Sequence, residues 1–339
     1  MSKNEEARKI LISSFGNKNL KLPGNVSFVL EKNQTQCRIK LNPKKVQTEN
    51  MQTDTNAFEG WAVALHIALD KPGKIILDVD GEFKRIPYET NGHWGRFLYR
   101  ALRFSQQYGE WFELSGKIKA VVTEFEKYLE KEYFTNNPPE YEAGIKESHG
   151  DENIVEAKFA EDGKLQEALA CFDVGNNKVY RQLPVGLFKI IEDVDKNKSY
   201  KYSDKTKVFT GRKSAIDLWT WNEDIFEVIE LKTNNPMMGI VTEIFFYSNY
   251  MYDFLVGRDR RFILNAPKKE EVNNRGYLTI WHSVRERSYE KIRGIMLADK
   301  YHSILENPTV LEILNCNGMN IEYVQAKYKY ELELFKYEG

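Results

Sequence analysis

The order of apolar runs between Ser214 and Val256 constrains this chain more than any other feature. SAIDLWTW and IFEVIELK alternate with the two-residue period of strands and are separated by the polar Asn222-Glu223-Asp224. MMGIVTEIFFYSNYMYDFLV follows, long enough for a helix that covers the sheet the two strands begin. Asp217, Glu230 and Lys232 interrupt the apolar pattern of the strands. Counting outward from a turn centred on Glu223-Asp224 brings Asp217 opposite Glu230. Opposed residues share a sheet face, roughly 4.5–5.5 Å apart at Cβ, and Lys232, two residues on, shares it too. The register hangs on the turn: Asn-Glu-Asp is a weaker hairpin signal than Asn-Gly, and a bulge would break the pairing.

Opposed carboxylates destabilise a sheet unless a cation lies between them. Paired carboxylates suit Mg²⁺, which binds oxygen and keeps several waters. Such a metal lowers the pKa of a bound water and neutralises charge developing on a phosphate. A neighbouring lysine orients the water or stabilises the same charge. Asp, then Glu-x-Lys on the next strand, therefore reads as a phosphodiester-hydrolysing site. Two other Glu-x-Lys triplets are set aside: Glu82-Phe83-Lys84 follows a tight Asp-Gly turn beside Asp78 and Asp80 and reads as a solvated hairpin end, and Glu156-Ala157-Lys158 has no partner aspartate in hairpin register.

GRKSAIDLWTWNEDIFEVIELK with the helix after it resembles the PD-(D/E)xK nuclease superfamily, the restriction-endonuclease-like fold. Members hold the aspartate and the Glu-x-Lys on adjacent strands of a mixed sheet, and that pattern falls on Asp217, Glu230 and Lys232. RecB-type members also carry Gln-x-x-x-Tyr on the following helix. Here the place reads Glu243-Ile-Phe-Phe-Tyr247, an i, i+4 pair on one helix face. Gly211 fits the glycine before the first strand, and Ile216 stands where the motif's name has proline. Many members supply another acid from a helix before the core strands. Glu192 is the residue considered for it, with a solvated helix end as the plainer reading. The resemblance covers roughly residues 207–261 and implies a Mg²⁺ (or Mn²⁺) nuclease, of restriction or defence type, acting on DNA. Asp217 and Glu230 would be its metal ligands, Lys232 the charge-stabilising group, and Glu243 and Tyr247 a supporting shell.

The rest of the chain sets the frame. Its 339 residues are 42% hydrophobic and 13% aromatic, enough for a packed core in two domains or one elaborated one. TNNPPEYEAGIKESHGDEN, with Pro138-Pro139, is the best boundary. It divides an α+β accessory domain, 1–137, from an α/β domain, 138–339, with a mixed sheet flanked by helices. In the first, VSFVLEK and QCRIKLN read as a hairpin, and KIILDVDGEFKRIPY as another about Asp80-Gly81. AFEGWAVALHIAL reads as an amphipathic helix, and HWGRFLYRALRFSQQY and IKAVVTEFEKYLEKEYF as two more, the former with its arginines on the wet side. In the second, Thr233 or Asn234 is expected to cap the long helix, which stops near Gly257. RRFILNA, YLTIWHSV, RGIMLADKYH and IEYVQAKYKYELEL read as strands, with a short helix at VLEILN.

Net charge is −1, so a nucleic-acid surface has to be local. Arg258, Arg260, Arg261, Arg285 and Arg287 lie in a basic stretch interleaved with aromatics, a pattern suited to phosphate contacts and stacking, as it is to a solvated face of paired charges. Arg212 and Lys213 lie beside the site. Three cysteines in no paired spacing suit a reducing cytoplasm and exclude an iron–sulfur or zinc-knuckle framework. MSKNEEARK is no signal peptide, and Glu243, Asn249 and Asp253 make the long helix a poor membrane span. His282 and His302 read as structural or solvated, and no Walker loop, dinucleotide turn or nucleophile elbow is present. The alternative function is a nuclease-fold scaffold without activity that binds nucleic acid or a protein. A homodimer or partner protein would engage the N-terminal domain.

Overall fold

In the computed structural model, which describes residues 3–31, 35–53, 56–69, 73–82, 92–139, 151–161, 164–165, 169, 178–195, 197–257, 261–267, 274–286 and 288–329, the chain forms two compact units. The first comprises Met1–Lys131, Met237–Glu243 and Tyr301–Met319; the second comprises Glu132–Pro236, Ile244–Lys300 and Asn320–Gly339. The division thus falls six residues before the expected cut after Asn137, and the chain returns twice to the first unit.

The first unit begins with α1 (Lys3–Phe15), β1 (Ser27–Glu31), β2 (Gln36–Leu41), α2 (Pro43–Thr48), α3 (Glu59–Ala68) and β3 (Lys74–Val79). It continues with α4 (Gly92–Gln107), β4 (Phe112–Leu114) and α5 (Gly116–Lys131). Its sheet has the order β1-β2-β3-β4, with β1 antiparallel and the other neighbours parallel. The β1–β2 hairpin follows the alternation of its sequence. Asn42 starts α2 by accepting the N–H groups of Lys44 and Lys45 at 3.0 and 3.2 Å, with Pro43 in the first turn. Gly81 adopts φ +92 in the turn after β3, but the expected return strand lies outside the described residues.

Two expectations here are corrected. α3 is buried from Glu59 through Leu65 and so has no wet face in that stretch. The arginines of α4 do not all face water: Arg96 and Arg100 are buried. Arg100 Nε and Nη2 each donate to a Glu59 carboxylate oxygen at 2.7 Å, and Nη2 also donates to the Asn56 carbonyl at 2.8 Å. Thr242 Oγ1 adds a bond to Glu59 Oε2 at 2.7 Å. A planar guanidinium meets a carboxylate in two parallel bonds, so a buried pair can replace the hydration both lose.

The second unit contains β5 (Phe134–Thr135), α6 (Asp151–Ala160), β6 (Tyr180–Lys189), β7 (Lys207–Asn222), β8 (Ile225–Lys232) and α7 (Gly239–Leu255), the first turn of which belongs to the first unit. Then come β9 (Phe262–Ile263), a 3₁₀ turn (Asn274–Gly276), α8 (Tyr277–Glu286) and β10 (Lys291–Ala298). After α9 (Pro308–Asn315), in the first unit, the chain adds β11 (Ile321–Lys327). The sheet order is β11-β10-β8-β7-β6-β5-β9. β6, β7 and β8 form an antiparallel meander, and β10 and β11 extend it in parallel. Both sheets are therefore mixed and carry helices.

α6 covers one face of this sheet, where Val155 and Phe159 join Leu218, Ile229, Leu231, Ile295 and Leu297 in one apolar cluster. α7 lies against the opposite face at Gly294, where an added Cβ would come within 2.5 Å of Ser248 Oγ and 3.0 Å of Ile244 Cγ1. Neither proposed cap starts α7. Thr233 Oγ1 bonds the Tyr328 hydroxyl at 2.6 Å, and Asn234, at φ +53, donates its N–H to Asp299 Oδ1 at 2.9 Å. YLTIWHSV is helical, not a strand: Tyr277, Ile280 and Trp281 fall on one buried stripe at helical spacing. RRFILNA keeps only Phe262 and Ile263 as strand. No helix among the described residues is long and apolar enough to cross a membrane.

Candidate functional site

The β7–β8 hairpin turns at Glu223-Asp224, with Glu223 at φ +50. Asn222 pairs with Ile225, and the ladder runs without a slip to Leu218–Ile229. The next opposed positions are Asp217 and Glu230, the register counted from the sequence. The ladder stops there, and the Asp217 side chain takes its place: Oδ2 accepts the Leu231 N–H at 3.0 Å. On the other side of β7, Arg181 pairs with Leu218 and Leu183 with Ile216, but the step between them is interrupted by Gln182 at φ +56. A non-glycine residue in that region inside a strand is strained. Neither ladder of β7 thus runs through Asp217, and its carboxylate is engaged by the Leu231 N–H.

β8 ends in a buried ion pair. Lys232 Nζ donates to Glu230 Oε1 at 2.5 Å and to the Leu231 carbonyl at 3.1 Å, and it lies 3.8 Å from Glu152 Oε1 on α6. Glu230 is 2% exposed and Lys232 6%. Charges so buried persist only when paired, because leaving one alone costs several kcal/mol, about 3–5.

The helix before the core strands carries a buried acid, Glu156, and Glu192 does not lie on a helix. Glu192 follows β6 outside any helix, in an exposed ion pair with Lys198 at 2.6 Å, and that lysine lowers its pKa. Glu156, set aside as a chance triplet, lies on α6 and is 2% exposed. Arg181 Nε donates to its Oε1 at 3.1 Å and Gln182 Nε2 to its Oε2 at 2.8 Å. Burial, then the negative charge of Asp217, pushes the Glu156 carboxyl up to about 7, against the pull of Arg181 and Gln182. Glu152 and Glu156 stand one helical turn apart, beside the apolar pair Val155 and Phe159. That i, i+4 spacing is the signal by which the sequence could have shown a helix with an acidic edge.

The remaining expected residues are distributed differently. Tyr247, on α7, is buried and lies 3.3 Å from Ser214 Oγ of β7 through its hydroxyl. Glu243 belongs to the first unit, where the Gln52 amide, turned to satisfy its neighbours, donates to both carboxylate oxygens at 2.6 and 3.0 Å. Arg212 and Lys213 are in β7, and their side chains lie outside the described set, as do Arg258, Arg260 and Arg287 altogether. Arg261 is part-exposed, and its carbonyl accepts the Phe134 N–H at 2.7 Å. Arg285 is exposed and stacks on Trp281, 3.1 Å from the ring centre. Arg293 is tied to Glu227 and Glu322, each at 2.9 Å, so this part of the basic stretch is neutralised locally.

The donor set around Asp217 consists of carboxylate oxygens, the chemistry that Mg²⁺ or Mn²⁺ takes. Among the described residues, no group of three or more His, Cys, Asp or Glu side chains has an arrangement able to hold a metal ion. The residues fit a cation held by one or two carboxylates with water completing its shell, the usual manner for Mg²⁺. The repulsion that raises Glu156 beside Asp217 is what such a cation would relieve. Comparison with known proteins gives no match: no protein-family model fits the chain, and neither a curated protein nor a solved structure matches it significantly.

Proposed function

We propose that this chain is a Mg²⁺- or Mn²⁺-dependent nuclease that hydrolyses phosphodiester bonds in DNA. The observation that supports the reading is the hairpin register, which runs to Leu218–Ile229 and whose next step would bring Asp217 opposite Glu230, where the Asp217 carboxylate instead accepts the Leu231 N–H. The order α6, β6, β7, β8, α7, β10 supports it. Aspartate and Glu-x-Lys occupy adjacent strands of a mixed sheet, and a preceding helix supplies an acid, as in the superfamily the sequence resembles.

Asp217 and Glu230 would hold the metal, with Glu156 as the acid at their side. When bound, the metal supplies a water of lowered pKa and positive charge against the phosphate. Lys232 holds an ammonium beside Glu230, where it orients the attacking water or stabilises the charge of the transition state. Arg181 and Gln182 position Glu156, and Tyr247 supports β7 from the helix behind. Glu243 is left out of this assignment, since its described partner is Gln52 of the first unit.

The test is cleavage of labelled DNA in Mg²⁺ and Mn²⁺ by the wild type, Asp217→Ala and Lys232→Ala, with circular dichroism to establish folding. Metal-dependent cleavage lost in both folded variants is the expected result. Equal cleavage in all three removes the site. No cleavage of DNA or RNA by the wild type removes the enzyme and leaves the binding scaffold.

A further inference from the structure

Beyond Asp217, the same face of β7 carries Trp219 and Trp221, and these belong to a stack of aromatic rings that no catalytic role uses. Tyr180 of β6 lies over Trp219 with ring centres 4.7 Å apart and planes 18° apart, and Phe226 of β8 lies against Trp219 at 5.2 Å and 16°. Tyr180 is also near-parallel to Trp221, 16° apart at 6.3 Å. The inner end is fixed. Trp219 is fully buried, its Nε1 donates to the Arg275 carbonyl at 3.0 Å, and the backbone of Gly276 is pressed onto the rings. A Cβ there would come within 2.3 Å of Trp219 and 2.4 Å of Tyr180. Gly276 thus covers part of Tyr180 as well as Trp219, yet Tyr180 stays partly exposed, and Trp221, at the outer end, is partly exposed too.

Cations accompany the rings. The exposed Lys178 places Nζ 5.4 Å from the centre of Tyr180, and Arg275 donates to the Gln182 carbonyl at 3.2 Å, beside Glu156. Trp221 is four strand residues from Asp217, about 13 Å. A few extended nucleotides span that length. Parallel rings that end in partly exposed faces, with an ammonium alongside, match the chemistry of single-strand binding, in which bases stack on aromatics and cations follow the phosphates.

We infer that Trp221 and Tyr180 form a stacking platform for unpaired nucleobases at the turn end of β7, within a few nucleotides' reach of Asp217. The inference rests on the proposed nuclease reading for its substrate class, and binding is measured without cleavage so that the two can fail separately. Fluorescence anisotropy of a labelled single-stranded DNA oligonucleotide, its duplex and a single-stranded RNA of the same sequence would be recorded in EDTA. The proteins are the wild type, Trp221→Ala and Trp221→Phe. Cleavage in Mg²⁺ would be assayed on the same proteins and on Asp217→Ala.

Loss of one stacked base predicts that Trp221→Ala weakens single-strand binding about five- to 150-fold. Trp221→Phe restores most of it, because the ring and not the indole N–H does the stacking, and duplex binding is unaffected. The RNA arm reports whether the sugar matters; stacking alone predicts an equal loss on both single strands. Wild-type affinity of Trp221→Ala for single strands, an equal loss on duplex, or no binding by the wild type overturns the platform. Cleavage that depends on Asp217 while Trp221→Ala binds normally removes the platform alone. A Trp221-dependent affinity with no cleavage by the wild type removes the nuclease reading and keeps the platform.

Discussion

The carboxylate of Asp217 accepts the backbone N–H of Leu231 at 3.0 Å, in the place where a strand carbonyl would continue the β7–β8 ladder. One side chain thereby has a structural and a proposed chemical task, and the two are separable. Asparagine keeps an acceptor oxygen for Leu231 and loses the charge; alanine loses both. Asp217→Asn is expected to melt near the wild-type temperature without metal-dependent cleavage. Asp217→Ala is expected to be less stable by about 1–3 kcal/mol, the cost of an unsatisfied part-buried N–H. Equal melting of the two variants would refute the structural part of this claim.

Glu230 and Lys232 form a pair that neither residue can leave alone. Removing the lysine strands a buried carboxylate, and Lys232→Ala should cost about 3–5 kcal/mol in urea unfolding. The double variant Glu230→Leu/Lys232→Met has no stranded charge and is expected to be more stable than Lys232→Ala, yet inactive. Additive destabilisation in the double-mutant cycle would contradict the pairing.

Glu156 ties stability to pH. Its carboxyl titrates at about 7 in the folded protein against 4.5 when unperturbed, so the folded state holds an extra proton between those values. Its contribution to stability is full below about 4.5 and is lost as pH rises through 7. Glu156→Gln removes the titration. In metal-free buffer, the stability difference between variant and wild type should move in the variant's favour by on the order of 3 kcal/mol from pH 4 to pH 8. A difference that stays flat across this range would show that the carboxyl is not raised.

In the first unit, Arg100 and Glu59 are both fully buried and doubly bonded. Arg100→Ala leaves Glu59 with Thr242 as its remaining hydrogen-bond donor among those described here and should destabilise by about 3–5 kcal/mol. Arg103→Ala, on the same helix but partly exposed, should stay within about 0.5 kcal/mol. Thermal melts of the two variants distinguish a buried pair from a solvated one.

The pattern of residues 214–232 was legible because strand periodicity and a two-residue turn leave one register that puts Leu218, Ile229 and Leu231 into the core together. The rest of the site was not. Glu156 shares an i, i+4 edge with Glu152, but that spacing does not say whether the edge is wet or buried, and only the packing of Val155 and Phe159 on the sheet turns it inward. The residues of α8 read as a strand because Tyr, Thr, Ile and Trp favour strands, and the burial of Tyr277, Ile280 and Trp281 along one helical stripe overrides that preference. The arginines of α4 looked solvated because a lone arginine normally is; the partner that buries Arg100 is 41 residues earlier.

By itself, the sequence determined two elements of this protein: a β7–β8 hairpin in the register that pairs Asn222 with Ile225 and Leu218 with Ile229, and the long helix after it. Both are local, set by spacing and turn position within a short stretch of chain. Tertiary structure alone decided which distant groups meet them. Glu156 faces Asp217, Glu152 approaches Lys232, and Tyr180 stacks on Trp219 because a sheet and its covering helix bring separate segments together. The physical reason is that burial, which raises the Glu156 pKa and makes lone charges costly, belongs to the packed assembly and to no residue within it.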